Sequence, residues 1–109
     1  MNKKQIEKEY KEMLKKRVGK VAENRVNCYV CDCGHITKTI DVDSGVTPMF
    51  YLCEKCGSRA TSSFYKDIAP ELKPTQEWYR PTLEETIKAE PFLRNHILSG
   101  GLDVRKISV

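Results

Sequence analysis

The chain has 109 residues, 39% of them hydrophobic and 31% charged, with a formal net charge of +4. That length points to one small domain with extensions, in which a smaller share of the surface is buried than in larger proteins. No stretch approaches the roughly 20 apolar residues of a membrane helix, and the start "MNKKQIEKEYKEMLKKR" carries charges where a signal peptide has its apolar segment. The expected setting is therefore the cytoplasm, with the cysteines reduced.

Charge is unevenly placed. Residues 1–25 hold nine Lys/Arg against four Glu, residues 26–64 three basic against four acidic, and residues 65–109 seven of each. In the first segment Ile6, Tyr10, Met13, Leu14, Val18 and Val21 recur at three- and four-residue steps, which aligns them along one helical stripe. The spacing predicts an amphipathic helix from about Lys3 to Lys16, stopped near Gly19. Its stripe either packs on the chain's own core or grips another chain. Lys15, Lys16, Arg17, Lys20 and Arg25 are the candidate phosphate contacts should the chain bind nucleic acid.

Residues 26–65 read as short strands. "VNCYV" is β-branched and aromatic, "ITKTIDV" alternates with Ile36, Ile40 and Val42 on one face, and "MFYL" is apolar. "DSGVTP" between the last two supplies Gly and Pro for a reversal, so the pattern predicts a hairpin framed by two cysteine turns, with "RATSSFY" as one more strand. So small a sheet has too little apolar area to hold itself together, and a cross-link at its end is expected.

From Lys66 to Pro81, Pro70, Pro74 and Pro81 exclude regular helix and predict an extended arm. Thr82 and Glu85 then form a capping-box pair opening a short helix, "LEETIKAE", with Leu83 and Ile87 on one face. Pro91 breaks or restarts it, "FLRNHIL" predicts a second short helix, Gly100-Gly101 ends that, and "LDVRKISV" alternates as a strand.

The cysteines carry the chemistry. A tetrahedral zinc site needs four soft ligands converging on one point, and two tight turns supply two each. "CDCGH" and "CEKCGS" each place glycine directly after a cysteine, where positive φ turns the backbone N–H groups toward the sulfurs. Cys33 and Cys56 are thus the second ligand of each turn, and Cys53 pairs with Cys56 in a C-x-x-C. Cys28, Cys31 and Cys33 compete for the first turn. Strand alternation sets Cys28 on the side of Val26 and Val30 and Cys31 on the other, which selects Cys31 and Cys33; Cys28 as ligand, or His35 in a mixed site, remains the alternative. A thioredoxin-type redox pair is disfavoured because no βαβ unit surrounds the C-x-x-C.

Those two motifs with the strands between them, residues 28–65, resemble the zinc-ribbon family. The resemblance implies a small zinc-ribbon sheet with bound Zn²⁺; together with the N-terminal amphipathic helix and the C-terminal arm with short helices predicted from the flanking patterns, the expected fold class is α+β. The divisions are 1–25, 26–65 and 66–109. The one-residue spacer of Cys31-x-Cys33 departs from the commoner two. Zinc ribbons occur in transcription factors, polymerase subunits, ribosomal proteins and small phage proteins, so the resemblance leaves function open. The tail from "EWYRPTLEE" to "ILSGGLDVRKI" also looks like the ends of small proteins of tailed phages and prophages, which implies the host cytoplasm or a virion as the location.

Four thiolates would close the metal's coordination sphere, and His35 and His96 are the only residues of the type suited to acid–base catalysis at neutral pH, so an enzyme with a small-molecule substrate is the least expected class. Protein association, with a partner or a second copy, is expected through the Pro-rich arm. There Trp78, Tyr79 and Arg80 stand together, three residue types enriched in interface hot spots; the alternative for Trp78 is folding back to complete the ribbon's core. Nucleic-acid binding is the second expectation, with Lys55 and Arg59 at the second turn and Phe64 and Tyr65 as stacking faces. Four thiolates and one Zn²⁺ would lower the net charge from +4 to about +2, which weakens an argument from bulk basicity.

Overall fold

The structure is a computed structural model that describes residues 2–17 and 24–107. Helix α1 spans Lys3–Lys16, as its periodicity predicts. Asn2 caps it, its side-chain oxygen accepting the Gln5 N–H at 2.9 Å, and Ile6, Tyr10 and Met13 form the buried stripe. Val18, Gly19, Lys20 and Val21, the expected end of this helix and part of its cationic cluster, lie outside the described residues. The stripe packs inward, against the chain itself: Tyr10 and Met13 cluster with Ile97, flanked by Leu14, Leu83, Leu93 and Leu98, and the Tyr10 hydroxyl donates to the Pro81 carbonyl at 2.7 Å.

Among the described residues six strands follow: β1 Val26–Val30, β2 Ile36–Asp41, β3 Phe50–Leu52, β4 Arg59–Ser62, β5 Gln76–Tyr79 and β6 Asp103–Lys106. Two short helices, α2 Leu83–Lys88 and α3 Pro91–Leu98, lie between β5 and β6. The capping box is present, with Thr82 and Glu85 each accepting the other's backbone N–H, and Pro91 opens α3 with Glu90 as its cap. The fold is α+β, as expected.

All six strands belong to one sheet in the order β3-β4-β1-β2-β5-β6. Neighbours are antiparallel except β2 and β5, which run parallel. This overturns the expected hairpin. Segment 43–49 does not join β2 to β3 as a pair; instead "CDCGH" turns β1 into β2 and "CEKCGS" turns β3 into β4, so the cysteine motifs are themselves the hairpin turns. Nor is 66–81 a free arm, because β5 within it pairs with β2 over Thr39–Gln76, Ile40–Glu77 and Asp41–Trp78.

The sheet curls strongly. In a flat sheet β3 and β5 would lie about 19 Å apart, four inter-strand steps, yet the Tyr51 and Trp78 rings sit 5.4 Å apart in an edge contact. Tyr29 completes a triad at 5.7 Å from Tyr51 and 6.4 Å from Trp78. The core inside the curl consists of Tyr29, Ala60, Trp78 and Leu102 with Cys31 and Cys53, and Tyr51 and Val104 pack against it.

The period expected for β2 is right and its phase is inverted. Thr37, Thr39 and Asp41 face the core, while Ile36, Ile40 and Val42 are only half-buried on the outer face. The inner threonines are tolerated because each hydroxyl is used: Thr39 Oγ1 accepts the Trp78 indole N–H at 3.1 Å, and Thr37 Oγ1 accepts the Glu54 backbone N–H at 3.4 Å. On the outer face Lys38 is only 4% exposed. Its ammonium donates to Asp67 at 2.8 Å and to the Ala69 carbonyl at 2.9 Å, pinning the 63–72 segment over part of that face.

Candidate metal centre

Both cysteine turns are closed by the same kind of bond. In the first, the Cys31 N–H donates to the His35 carbonyl at 3.1 Å and the Gly34 N–H to the Cys31 carbonyl at 2.9 Å. In the second, the Cys53 N–H donates to the Ser58 carbonyl at 2.7 Å and the Gly57 N–H to the Cys53 carbonyl at 2.9 Å. Gly34 (φ 91°) and Gly57 (φ 76°) adopt the left-handed conformation expected of them. A Cβ at either would meet nothing within 4 Å, so backbone conformation rather than crowding demands glycine.

These turns bring Cys31, Cys33, Cys53 and Cys56 together, with the four sulfurs within 4.8 Å of one another. Four sulfurs held about 2.3 Å from a tetrahedral ion lie about 3.8 Å apart. Here Cys33 Sγ and Cys53 Sγ are 3.8 Å apart and Cys31 Sγ and Cys56 Sγ 3.4 Å, so the donor set fits a metal ion of zinc's size and softness. Each turn contributes one buried and one exposed cysteine, Cys31 and Cys53 lying in the core and Cys33 and Cys56 at the surface.

Backbone donors favour the thiolate in the second turn, whereas in the first the Cys33 N–H lowers Cys31 but the neighbouring thiols and burial outweigh it and push that thiol up to about 12. The Ser58 N–H and hydroxyl hold the Cys56 thiol down to about 6, and the Cys56 N–H is the main group lowering Cys53. The Lys55 N–H also points at Cys53 Sγ, at 3.4 Å.

Cys28 stands apart from the cluster. It is fully buried and pairs with Lys38 on the outer face, whereas Tyr29 pairs with Thr37 on the inner one; its N–H is held by Asn27 Oδ1 at 3.0 Å and Ser63 Oγ at 3.2 Å. Cys28→Ala and Cys28→Val are therefore expected to keep one metal per chain, and to cost about 1 kcal/mol in stability, whereas Cys31→Ala loses the metal. Metal analysis of the two purified variants checks this, and the opposite pattern would move the first ligand to Cys28.

His35 is not among the clustered donors either. Its Nε2 lies 2.9 Å from Glu54 Oε1, and Glu54 accepts Thr75 Oγ1 at 3.0 Å and Gln76 Nε2 at 3.3 Å. Gln76 Oε1 in turn accepts the Tyr51 hydroxyl at 2.8 Å. Burial pushes the Glu54 carboxyl up, but the donors His35, Gln76 and Thr75 outweigh it and the net direction is down. This network ties both turns to β5. The sequence offers no signal for it beyond the acid inside "CEKC".

The other candidate residues are dispersed. Trp78 is 3% exposed and belongs to the core, which corrects its reading as a surface anchor in favour of the folded-back alternative. Tyr79 donates to Glu85 at 2.9 Å and lies under the Arg105 guanidinium, 4.1 Å from its ring. Arg80 bonds the Ser44 carbonyl through its side chain and Asp43 through its backbone. Alternation along β5 sends Trp78 and Tyr79 to opposite faces, so the three do not present one surface. Among the cationic residues, Lys15 and Lys16 are exposed at the end of α1. Arg17 reaches the Gly100 carbonyl at 3.3 Å, while Arg25 pairs with Asp41 at 3.4 Å and stacks 4.0 Å from the Tyr65 ring. Tyr65 is itself bonded to Asp41 at 2.9 Å, and Arg59 lies over Phe50.

Compared with protein-family models, curated proteins and solved structures, the chain matches none. No helix among the described residues is long and apolar enough to cross a membrane.

Proposed function

We propose that the chain is a zinc-dependent protein-association module, in which Zn²⁺ is structural and holds together a surface for a protein partner or a second copy. The observation that carries the reading is the four-cysteine cluster, whose two buried members are part of the core they close. Four thiolates fill a tetrahedral shell and leave no position for a reacting water, which supports binding rather than catalysis. Exposed apolar side chains on the outer side of the sheet and its covering segment, Phe50, Leu52, Phe64, Ile68 and Leu72 among them, support association. A nucleic-acid-binding accessory role is the competing reading. Its cationic set is thinned by the engagement of Arg17 and Arg25 within the fold.

Recovery of the native complex with and without nuclease, followed by titration at two salt concentrations, tests this. Association with protein is expected to survive nuclease, to depend weakly on salt, and to change less than threefold in a Lys15→Glu/Lys16→Glu variant. Micromolar DNA binding that falls steeply with salt and disappears in that variant would replace the proposal with the competing reading.

A further inference from the structure

The two free edges of the curled sheet are unlike each other, and we infer that one of them, β3, takes an added strand from an acidic, extended segment of a partner protein. This deepens the association reading and rests on it. The edges face each other across a cleft of about 510 Å³ whose lining includes Tyr51, Leu52, Lys55, Gln76, Val104 and Lys106.

Edge β6 is protected against pairing. It carries Asp103, Arg105 and Lys106; the Asp103 carboxylate accepts the Val104 N–H at 2.8 Å, and Arg105 is held by Glu77 at 2.7 Å. Charges and self-satisfied donors of this kind are the usual guards of a sheet edge. Edge β3 has none of them. The Ser62 N–H donates to the Met49 carbonyl and the Cys53 N–H to the Ser58 carbonyl, so alternation turns the main-chain groups of Met49, Tyr51 and Cys53 toward β4 and those of Phe50 and Leu52 outward. Among the described residues nothing pairs with them. Their side chains are apolar and open to solvent, Phe50 at 42% and Leu52 at 64%.

Charge selects the occupant. Lys55 and Lys106 have no carboxylate partner among the described residues, and the acid beside them, Glu54, is engaged by His35, Thr75 and Gln76. A second copy joined edge to edge would double these lysines without supplying an acid. A strand laid along β3 would turn alternate residues inward toward Tyr51, Gln76 and Lys106 and the others outward beside Phe50 and Leu52. The fitting segment therefore alternates acidic and apolar side chains.

The test is selection of a displayed library of random ten-residue peptides on the full-length, zinc-loaded protein. The expected winners alternate Asp/Glu with apolar residues, and a synthetic representative slows hydrogen exchange at the Phe50 and Leu52 amides. Its affinity falls at least tenfold in Lys55→Glu/Lys106→Glu, or in Lys106→Glu alone should the double variant lose metal. The proposal is overturned by an absence of enriched peptides, by winners that protect other amides, by a dimer that buries β3, or by a random single-stranded oligonucleotide that protects the same two amides. Peptides or a native complex mapping elsewhere would sink the edge proposal while leaving protein association standing. Failure of association itself shows separately, in the nuclease and salt experiment.

Discussion

If the four cysteines hold zinc as proposed, chelation is expected to unfold the sheet as one unit. Structural zinc contributes roughly 10–16 kcal/mol of apparent binding free energy in small peptides, which matches or exceeds the about 5–15 kcal/mol of net stability of a typical domain. Here two of the four candidate ligands are not peripheral, since Cys31 and Cys53 pack in the same cluster as Tyr29, Trp78 and Leu102. Metal loss would leave four thiols crowded where an ion had joined them, and the two turns that form the hairpins would open. Because β5 pairs with β2 and supplies Trp78 to that core, unfolding should reach beyond residues 26–65. The chain has one tryptophan, so its emission reports on the core directly. A red shift with loss of β-sheet circular dichroism on adding chelator is expected; an unshifted emission spectrum in metal-free protein would show that the core stands without the ion.

Trp78→Ala should be the most damaging single substitution outside the metal ligands, at about 3–5 kcal/mol. It empties the centre of the curl and removes the ring that Tyr29 and Tyr51 contact. It also leaves Thr39 Oγ1, fully buried, without the indole donor. Trp78→Phe restores most of the packing and lacks only the N–H, so about 1 kcal/mol is expected from the hydrogen bond. Urea unfolding of the zinc-loaded variants, followed by circular dichroism, measures both. Any loss of partner binding in Trp78→Ala should track its loss of fold. An Ala variant as stable as the parent that nevertheless fails to bind a partner would restore Trp78 as a surface anchor.

What could be read from the sequence was local. The stripe of α1, the Thr82–Glu85 capping box, Pro91 at the start of α3 and the two Cys-Gly turns each reside within a few residues, and the structure reproduces them. Cys31 was separable from Cys28 because strand periodicity is also local. Longer-range features were not readable. The prolines around β5 correctly exclude helix, yet nothing near Trp78 tells that this strand will lie parallel to β2. "ITKTID" alternates Ile36, Lys38 and Ile40 with Thr37, Thr39 and Asp41, and the inward set is the one whose threonine hydroxyls meet donors from Trp78 and Glu54, many residues away. Segment 43–49 has the composition of a hairpin turn but serves as a crossing, with Val46 bridged to Gly101 and the Tyr29 hydroxyl bonded to the Pro48 carbonyl.

The most direct test of the central claim is the metal content and coordination of the purified, reduced chain. One zinc per chain is expected, with an X-ray absorption spectrum showing four sulfurs at about 2.3 Å and no nitrogen shell. A folded protein without stoichiometric metal, or a shell containing histidine nitrogen, would contradict it.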